Sequence, residues 1–484
     1  MFTEQGIDIM SLRLGNRKQM GLFPQSLEDY VRSDDPVRVY DVFVESLDFS
    51  ELGIELDSDK VGNPQYDPRA MLKLLIYGYS YGIPSSRKLE RAIHHNVSFM
   101  WLMGGLKPDH KTIAEFRRKN KLALKKVLRQ CARLCIELDL IAGNTLFIDS
   151  TKIRANASIK NSWDKKKCEK HLRKIDRRIE EILSESEAVD EREEGQGSLV
   201  EMKKELKNKE TLRSKIKKIL GDLEEKESGS INTTDAECAK VKSIHGSHAG
   251  YSAHIALDKK NGLIVNSDVV NENNDRNQFA GQVEQANKAL GKKCKTVCAD
   301  AGYANTEELG KIDKQKIKVI VPSQRQASRK GPQPFDKENF QYDKENNCYI
   351  CPEGHVLRFK HYYKRKKQFF YQITKKSICL KCCNYGQCTK SKYGRMIARL
   401  HNEKMLVKLE AQYNEPSSKK IYKLRMQIAE LPFGHMKRNL GVQAFLLRGL
   451  DGVRSEMSLI SSCFNISRMI TIFGVEGVIE KLKA

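Results

Sequence analysis

Three acidic residues stand where metal-dependent phosphoryl-transfer chemistry would want them. Asp149 ends the apolar run Thr145 to Ile148, Asp300 ends another from Lys295 to Ala299, and Glu430 falls on a late helical segment. Hard divalent cations need oxygen ligands converging on one point, and two strand ends with a facing helix can deliver carboxylates this far apart in sequence. The expectation is a nuclease-like site holding two Mg²⁺ or Mn²⁺ ions. An isolated Asp after a strand is often only a turn former. Asp149 and Asp300 escape that reading by coming as a pair, and Glu456 or Glu415 stands in reserve for Glu430.

A second chemistry is written in thiols. Of thirteen cysteines, six fall between Cys348 and Cys388, as Cys348-x2-Cys351 and Cys379-x2-Cys382-Cys383-x4-Cys388. Paired knuckles of this spacing suit tetrahedral thiolate binding of a structural Zn²⁺, and in an intracellular chain such clusters point to metal rather than disulfides. Cys348, Cys351, Cys379 and Cys382 form the expected set, with Cys388 the substitute for one of the first two. His245, His248 and His254 lie on a loop and strand and read as satisfied surface histidines rather than a further metal site. Asp275 reads as a helix cap without a catalytic part.

Charge names the class of partner. Lys and Arg number 86 against 62 Asp and Glu, a formal net charge of +24, which points to a polyanion and above all to nucleic acid. Between the knuckles, KHYYKRKKQFFYQ (360–372) interleaves cations with aromatics, offering phosphate contacts and stacking surfaces on one ribbon, over and above the plain packing of a hairpin. The N-terminal segment lacks a secretory apolar core and no stretch has the uninterrupted apolar length of a membrane span, so a cytoplasmic protein with no membrane partner is expected.

The elements that must position these residues change character near residue 143. Residues 1–142 read as a helical, DNA-binding-type domain. Met71, Leu74, Leu75 and Tyr79 have helical spacing, Ser85 or Ser86 caps a helix carrying Leu89, Ile93 and Val97, and Thr112 to Glu115 is a capping-box pattern opening a third helix to about Leu140. The basic run from Arg117 to Lys126 fits a DNA-facing helix about as well as a solvated face. Residues 143–484 read as an α/β catalytic domain. TLFID, YSAHIALD, LIVNSDVV, KTVCAD and IKVIV are strands, with helices over 275–290 and 306–312, giving the order β, β, β, α, β, α, β and a much later helix. That order matches a ribonuclease-H-like core, in which the first strand, the fourth strand and a late helix bring their acids together. Two insertions interrupt it: a helical hairpin of coiled-coil type at 160–230 and the cysteine-rich, zinc-ribbon-like module at 325–400.

The late segment IYKLRMQIAELPFGHMKRNLG (421–441) carries Tyr422, Arg425, Glu430 and Lys437, followed by FLLRGL (445–450), Glu456 and Asn465. These residues resemble bacterial insertion-sequence transposases of the DDE class, in the branch marked by a Tyr-Arg-Glu-Lys signature. IDSTKIRANAS (148–158) resembles that family's first-aspartate motif and CADAGYAN (298–305) its second. The N-terminal region, with YDPRAMLKLLIYGYSYGIPSSRKLE and HKTIAEFRRKN, is similar to the helical domain preceding the family's catalytic core, so the resemblance spans nearly the whole chain. Four residues separate Arg425 from Glu430 where the best-known members have three, and Pro432 is expected to bend the helix just past Glu430.

The resemblance implies cutting at the ends of an element and joining to target DNA. Asp149, Asp300 and Glu430 would then hold the metal ions, and Lys152, Arg154, Tyr422, Arg425, Lys437 and Arg438 would contact DNA. Joining two ends implies a homodimer or higher assembly on DNA. The same acids would equally serve a metal-dependent nuclease that cuts without joining. A zinc-ribbon DNA-binding protein without activity is the reading outside enzymes.

Overall fold

A computed structural model of the chain describes residues 26–484 apart from 57–64, 191–195, 226–228, 244–245, 329–330 and 332. The terminal residues 1–25 and His245 thus lie outside the described residues, as do the side chains of 186–200, Leu199 among them.

The N-terminal third is helical, built from α1 (Val37–Glu45), α2 (Pro68–Ser80), α3 (Ser86–His95), α4 (His110–Lys119) and α5 (Val127–Glu137), with shorter turns between them. Asp67 caps α2, its carboxylate accepting the Arg69 N–H at 2.8 Å, and Pro68 occupies the first turn, where its missing donor costs nothing. Every residue from Ala70 to Tyr79 is buried, so α2 is the central rod of this domain rather than an amphipathic surface helix. The single long helix expected from Thr112 to Leu140 is broken at Asn120 and Lys125–Lys126. Its cap is Asp109, which takes the Thr112 N–H at 2.7 Å, rather than the Thr112–Glu115 box.

The core of the C-terminal half is organised on one sheet. β1 (Thr145–Arg154) pairs antiparallel with β3 (Gly246–Asp258), reached through β2 (Ala239–Ser243), and β3 pairs antiparallel with β4 (Ile264–Val270). On the other side of β1 lies β5 (Thr296–Ala299), parallel to it, and then β6 (Lys318–Ile320), parallel again. α8 (Phe279–Leu290) connects β4 to β5 and α9 (Thr306–Asp313) connects β5 to β6, so the five strands and two helices expected between residues 145 and 321 are present in the expected order. Leu146, Phe147 and Ile148 are consecutive and fully buried, which requires cover on both faces of the sheet.

α6 (Lys165–Asp190) and α7 (Gln196–Glu225) form the inserted hairpin around Cys168, Ile175, Ile216 and Leu223, closed at its base by a short ladder of Ser162–Trp163 with Ile231–Asn232. Arg178 to Glu205 (3.2 Å) and Arg213 to Asp176 (2.7 Å) tie the two helices across the outside. The second insertion is an antiparallel meander, β7 (Gln341–Asp343), β8 (Cys348–Ile350), β9 (Val356–Tyr363), β10 (Gln368–Ile373) and β11 (Met396–Leu400), with its own core of Phe340, Tyr349, Leu357, Tyr371, Ile373 and Ile397.

The chain then returns through α10 (Glu403–Asn414) to α11 (Pro416–Arg438), which packs across β1 and β5, and ends in α12 (Gly449–Lys483). Pro432 is accommodated inside an unbroken α11, with its ring buried. α12 is apolar and long enough to cross a membrane by composition, but 56% of that window is buried. It is the core helix joining the two halves of the protein. Asn465 on it is fully buried and saturates both Ile264 N–H and C=O at 2.8 Å, closing an open stretch of β4 backbone with one amide.

Candidate active site

β1 and β5 run parallel in a register that aligns Ile148 with Ala299, so the next residues sit side by side: Asp300 leaves the end of β5, while Asp149 stays in β1, paired with Ile255 of β3. Asp300 is held by the turn it starts. Its carboxylate accepts the Gly302 N–H at 2.8 Å, and a Cβ on residue 302 would sit 2.9 Å from that same oxygen, so the turn wants glycine there. Alternation along β1 places Asp149 and Thr151 on one face and Ser150 and Lys152 on the other.

The Asp149 face meets α11. Arg425 lies 3.3 Å from the Asp149 carboxylate, with its guanidinium also near the Tyr422 ring, and Lys437 donates to Thr151 Oγ1 at 2.6 Å. Tyr422 packs edge-on against Tyr413. Burial pushes the Asp149 carboxyl up to about 6; the charges of Asp300 and Asp275 add to the rise and Arg425 opposes it. Two carboxylates therefore crowd one spot with one guanidinium to balance them, the kind of donor set a divalent cation relieves.

Glu430 is on α11 between the two residues that touch β1, five after Arg425 and seven before Lys437, so it shares the Lys437 flank. Its side chain is exposed, and among the described residues no group of three acidic, His or Cys side chains is already gathered at metal-binding separation. Asp149 and Asp300 are thus brought together, whereas Glu430 is on the helix that packs against β1 and β5, its side chain exposed and not gathered with the two aspartates. Neither reserve acid takes its place. Glu456 is fully buried and accepts the Leu446 and Leu447 N–H groups at 2.9 and 3.0 Å, and Glu415 pairs with Lys318 at the far end of α11.

Of the residues expected to contact DNA, Arg154, Lys437 and Arg438 are exposed. Lys152 is instead engaged: it donates to Ser252 Oγ at 2.6 Å and pairs with Asp275 at 3.1 Å. Asp275 is no helix cap, since α8 begins four residues later behind Gln278. It is the hub of a network on the back face of β1, accepting from Ser150 (2.8 Å) and Ser252 (3.2 Å), with His254 Nε2 at 3.6 Å. His254 is completely buried rather than superficial. Its Nδ1 lies 2.8 Å from the hydroxyl of Tyr303, the last residue of the turn that starts at Asp300. Burial holds His254 down to about 4, so it is neutral at neutral pH; with the Nε2 proton toward Asp275, Nδ1 accepts from Tyr303. The only sequence signal for this support was strand alternation, which puts Ser150, Lys152 and His254 on one side.

The cysteine module separates the cysteines expected to act together. Cys351, Cys379, Cys382 and Cys388 line one cavity of about 30 Å³, and the other three sulfurs all act on the Cys388 thiol, which burial pushes up. Backbone N–H groups of His355 and Arg395 point at the Cys351 and Cys379 sulfurs, each at 3.3 Å. Cys348 is not among the residues lining this cavity. It is buried on β8, and Cys351, three residues on, is carried to the cavity by the turn that follows the strand. Cys388 takes its place.

Residues 25–119 match the family model "Transposase domain (DUF772)" and residues 350–470 match the model "Transposase DDE domain". The chain is a DDE-type DNA transposase. The second match takes in the cysteine module, α11 with Glu430, and most of α12, whereas Asp149 and Asp300 precede it. No curated protein matches the transposase. A solved structure described as a piggyBac transposase synaptic complex with hairpin DNA is 9% identical, covers 93% of this chain and 79% of its own, and superposes with a TM-score of 0.32, too loosely to carry an argument.

Proposed function

We propose that this transposase cuts DNA at the ends of its own element and joins them to target DNA, using Asp149, Asp300 and Glu430 as ligands for two divalent ions on a ribonuclease-H-like core. The observation that carries the reading is the parallel register that seats Asp149 beside Asp300, with Asp149 pushed up to about 6. Mg²⁺ or Mn²⁺ held there supplies activation of the attacking hydroxyl and neutralisation of the leaving oxygen in an in-line displacement. The protein's own part is orientation: Arg425, Lys437, Arg438 and Arg154 contact phosphates and fix the register of the DNA without reading its sequence. The order Tyr422, Arg425, Glu430, Lys437 on α11 favours the insertion-sequence branch, although the gap between Arg425 and Glu430 is one residue longer than in its best-known members, and joining two ends calls for at least a homodimer on DNA. In the second insertion, Cys351, Cys379, Cys382 and Cys388 line one cavity, two of their sulfurs receive backbone N–H bonds, and drawn closer together they would hold a structural Zn²⁺.

The test is a cleavage and strand-transfer assay with Mg²⁺ or Mn²⁺ on DNA carrying the element's ends. Wild type is compared with Asp149→Ala, Asp300→Ala and Glu430→Ala. Wild type should cut and join, while each variant binds DNA and does neither. Cutting without joining would favour a nuclease, and an active Glu430→Ala would remove the third ligand.

A further inference from the structure

Between Glu353 and Glu403 the chain carries thirteen Lys and Arg and not one carboxylate. The cations concentrate on the β9–β10 ribbon, where Lys360, Lys364, Arg365 and Lys366 are all exposed. The same ribbon shows aromatic rings to solvent: Phe359 is 45% exposed and Tyr362 and Tyr363 are each 40%. A register shift between Phe359 and His361 explains how this face forms. The extra residue puts Phe359 and Tyr362, three apart, over the same partner, Phe369, at 6.2 and 4.8 Å, where regular alternation would have set them on opposite faces. On the other face His361 lies flat on Phe370, 4.9 Å away.

The ribbon's tip is fastened beside the active site. Lys367, at the turn, pairs with Glu307 on α9 at 2.7 Å, and Thr306 donates to Asn402 at 3.0 Å just beyond β11. α9 begins six residues after Asp300, so the aromatic face is tied to the segment that carries a catalytic carboxylate.

We infer that the β9–β10 ribbon is a clamp for DNA whose bases are unstacked, as at a frayed or single-stranded end, with Phe359 and Tyr362 stacking bases and the neighbouring cations holding phosphates. This rests on the proposed DNA function and names the surface and state of the DNA. Charge complementarity selects nucleic acid over protein, and the exposed rings select unpaired bases, because the faces of bases within a duplex are already covered by their neighbours.

The test uses the full chain and fluorescence anisotropy with two labelled probes, a blunt duplex and the same duplex ending in an unpaired flap, across a range of salt. One variant carries Phe359→Leu and Tyr362→Leu, which keeps apolar contacts with Phe369 but removes the π-faces. Another carries Lys364→Gln, Arg365→Gln and Lys366→Gln. Wild type should prefer the flap by about tenfold or more, consistent with the stacking of one or two bases. The leucine variant should lose that preference with its salt slope unchanged, and the glutamine variant should weaken both probes and flatten the slope by roughly 2–3. A thermal melt matching wild type certifies that the leucine variant is folded; if it is not, the single Tyr362→Leu is read in its place. An undiminished flap preference in a folded variant overturns the clamp. A change in oligomeric state in place of the flap preference also overturns it, making the ribbon a contact between copies. Failure of wild type to bind either probe would instead sink the DNA function on which the clamp rests.

Discussion

Replacing Asp149 with Asn should make the metal-free transposase more stable. The carboxyl is pushed up to about 6 chiefly by burial, with Asp300 and Asp275 adding to the rise and Arg425 already counted against it. An unfolded Asp titrates near 3.9, so the folded state holds this proton about two units too tightly, and ionising the group in the fold costs about 3 kcal/mol at neutral pH. Asn is close to the protonated acid in shape and can still accept from Arg425. The sign follows from which state binds the proton. Below pH ~4 the carboxyl is protonated in both states and the substitution is neutral; as pH rises from about 4 to 6 the unfolded chain releases its proton first, and wild type loses stability. The full gap is present above about pH 7. A chain of 484 residues has an unfolding entropy of roughly 1 kcal/mol/K, so the gap corresponds to a melting temperature about 2–3 °C higher for Asp149→Asn.

The assay is thermal melting with EDTA at a series of pH values, then with Mn²⁺ added. Mn²⁺ should raise wild type and close the gap, because a cation held by Asp149 and Asp300 relieves the penalty that Asn never bears. A variant that melts below wild type at pH 7.5 without metal would refute the reasoning, as would a difference that stays flat from pH 4 to 7.5.

Glu430 is exposed, so Glu430→Gln should shift stability by no more than about 0.5 kcal/mol while strand cleavage falls at least a hundredfold; an equal loss of fold and activity would mean the side chain is structural. Purified protein should release one equivalent of zinc on thiol modification, measured with a chromogenic chelator. Cys388→Ser should lose that zinc and Cys348→Ser should keep it, and the reverse outcome would restore the ligand set expected from spacing alone. Glu456→Ala strands two buried N–H groups and should cost about 2–4 kcal/mol in denaturant unfolding, whereas Glu456→Gln, which keeps an acceptor, should cost less than half as much. Tyr303→Phe breaks the bond to His254 behind Asp300. It should lower kcat more than DNA affinity, with the loss partly recovered at raised Mn²⁺; a change in DNA affinity alone would separate this tyrosine from the Asp300 turn.

What was legible in the sequence follows the reach of local patterning. Strand order, the Asp149–Asp300 pair and the two insertions could be read because apolar runs ending in a carboxylate and three-four helical spacing are properties of neighbours in the chain. The limit is visible at Cys348 and Cys351. Their CxxC spacing is a local signal, yet Cys348 is locked into β8 and only Cys351, past the strand's end, reaches the cavity that Cys388 also lines. The same limit hid the support behind the aspartates. Asp275 lies 125 residues from Ser150 and its helix-cap reading was locally sound, but β3 and β4 fold so that it lands behind β1 among Ser150, Lys152 and His254. Lys152 shows the consequence for function. Beside the first aspartate it looks like a phosphate contact, and the fold instead pairs it with Asp275 to build the floor beneath Asp149, whereas Arg438 on the opposing helix stays exposed.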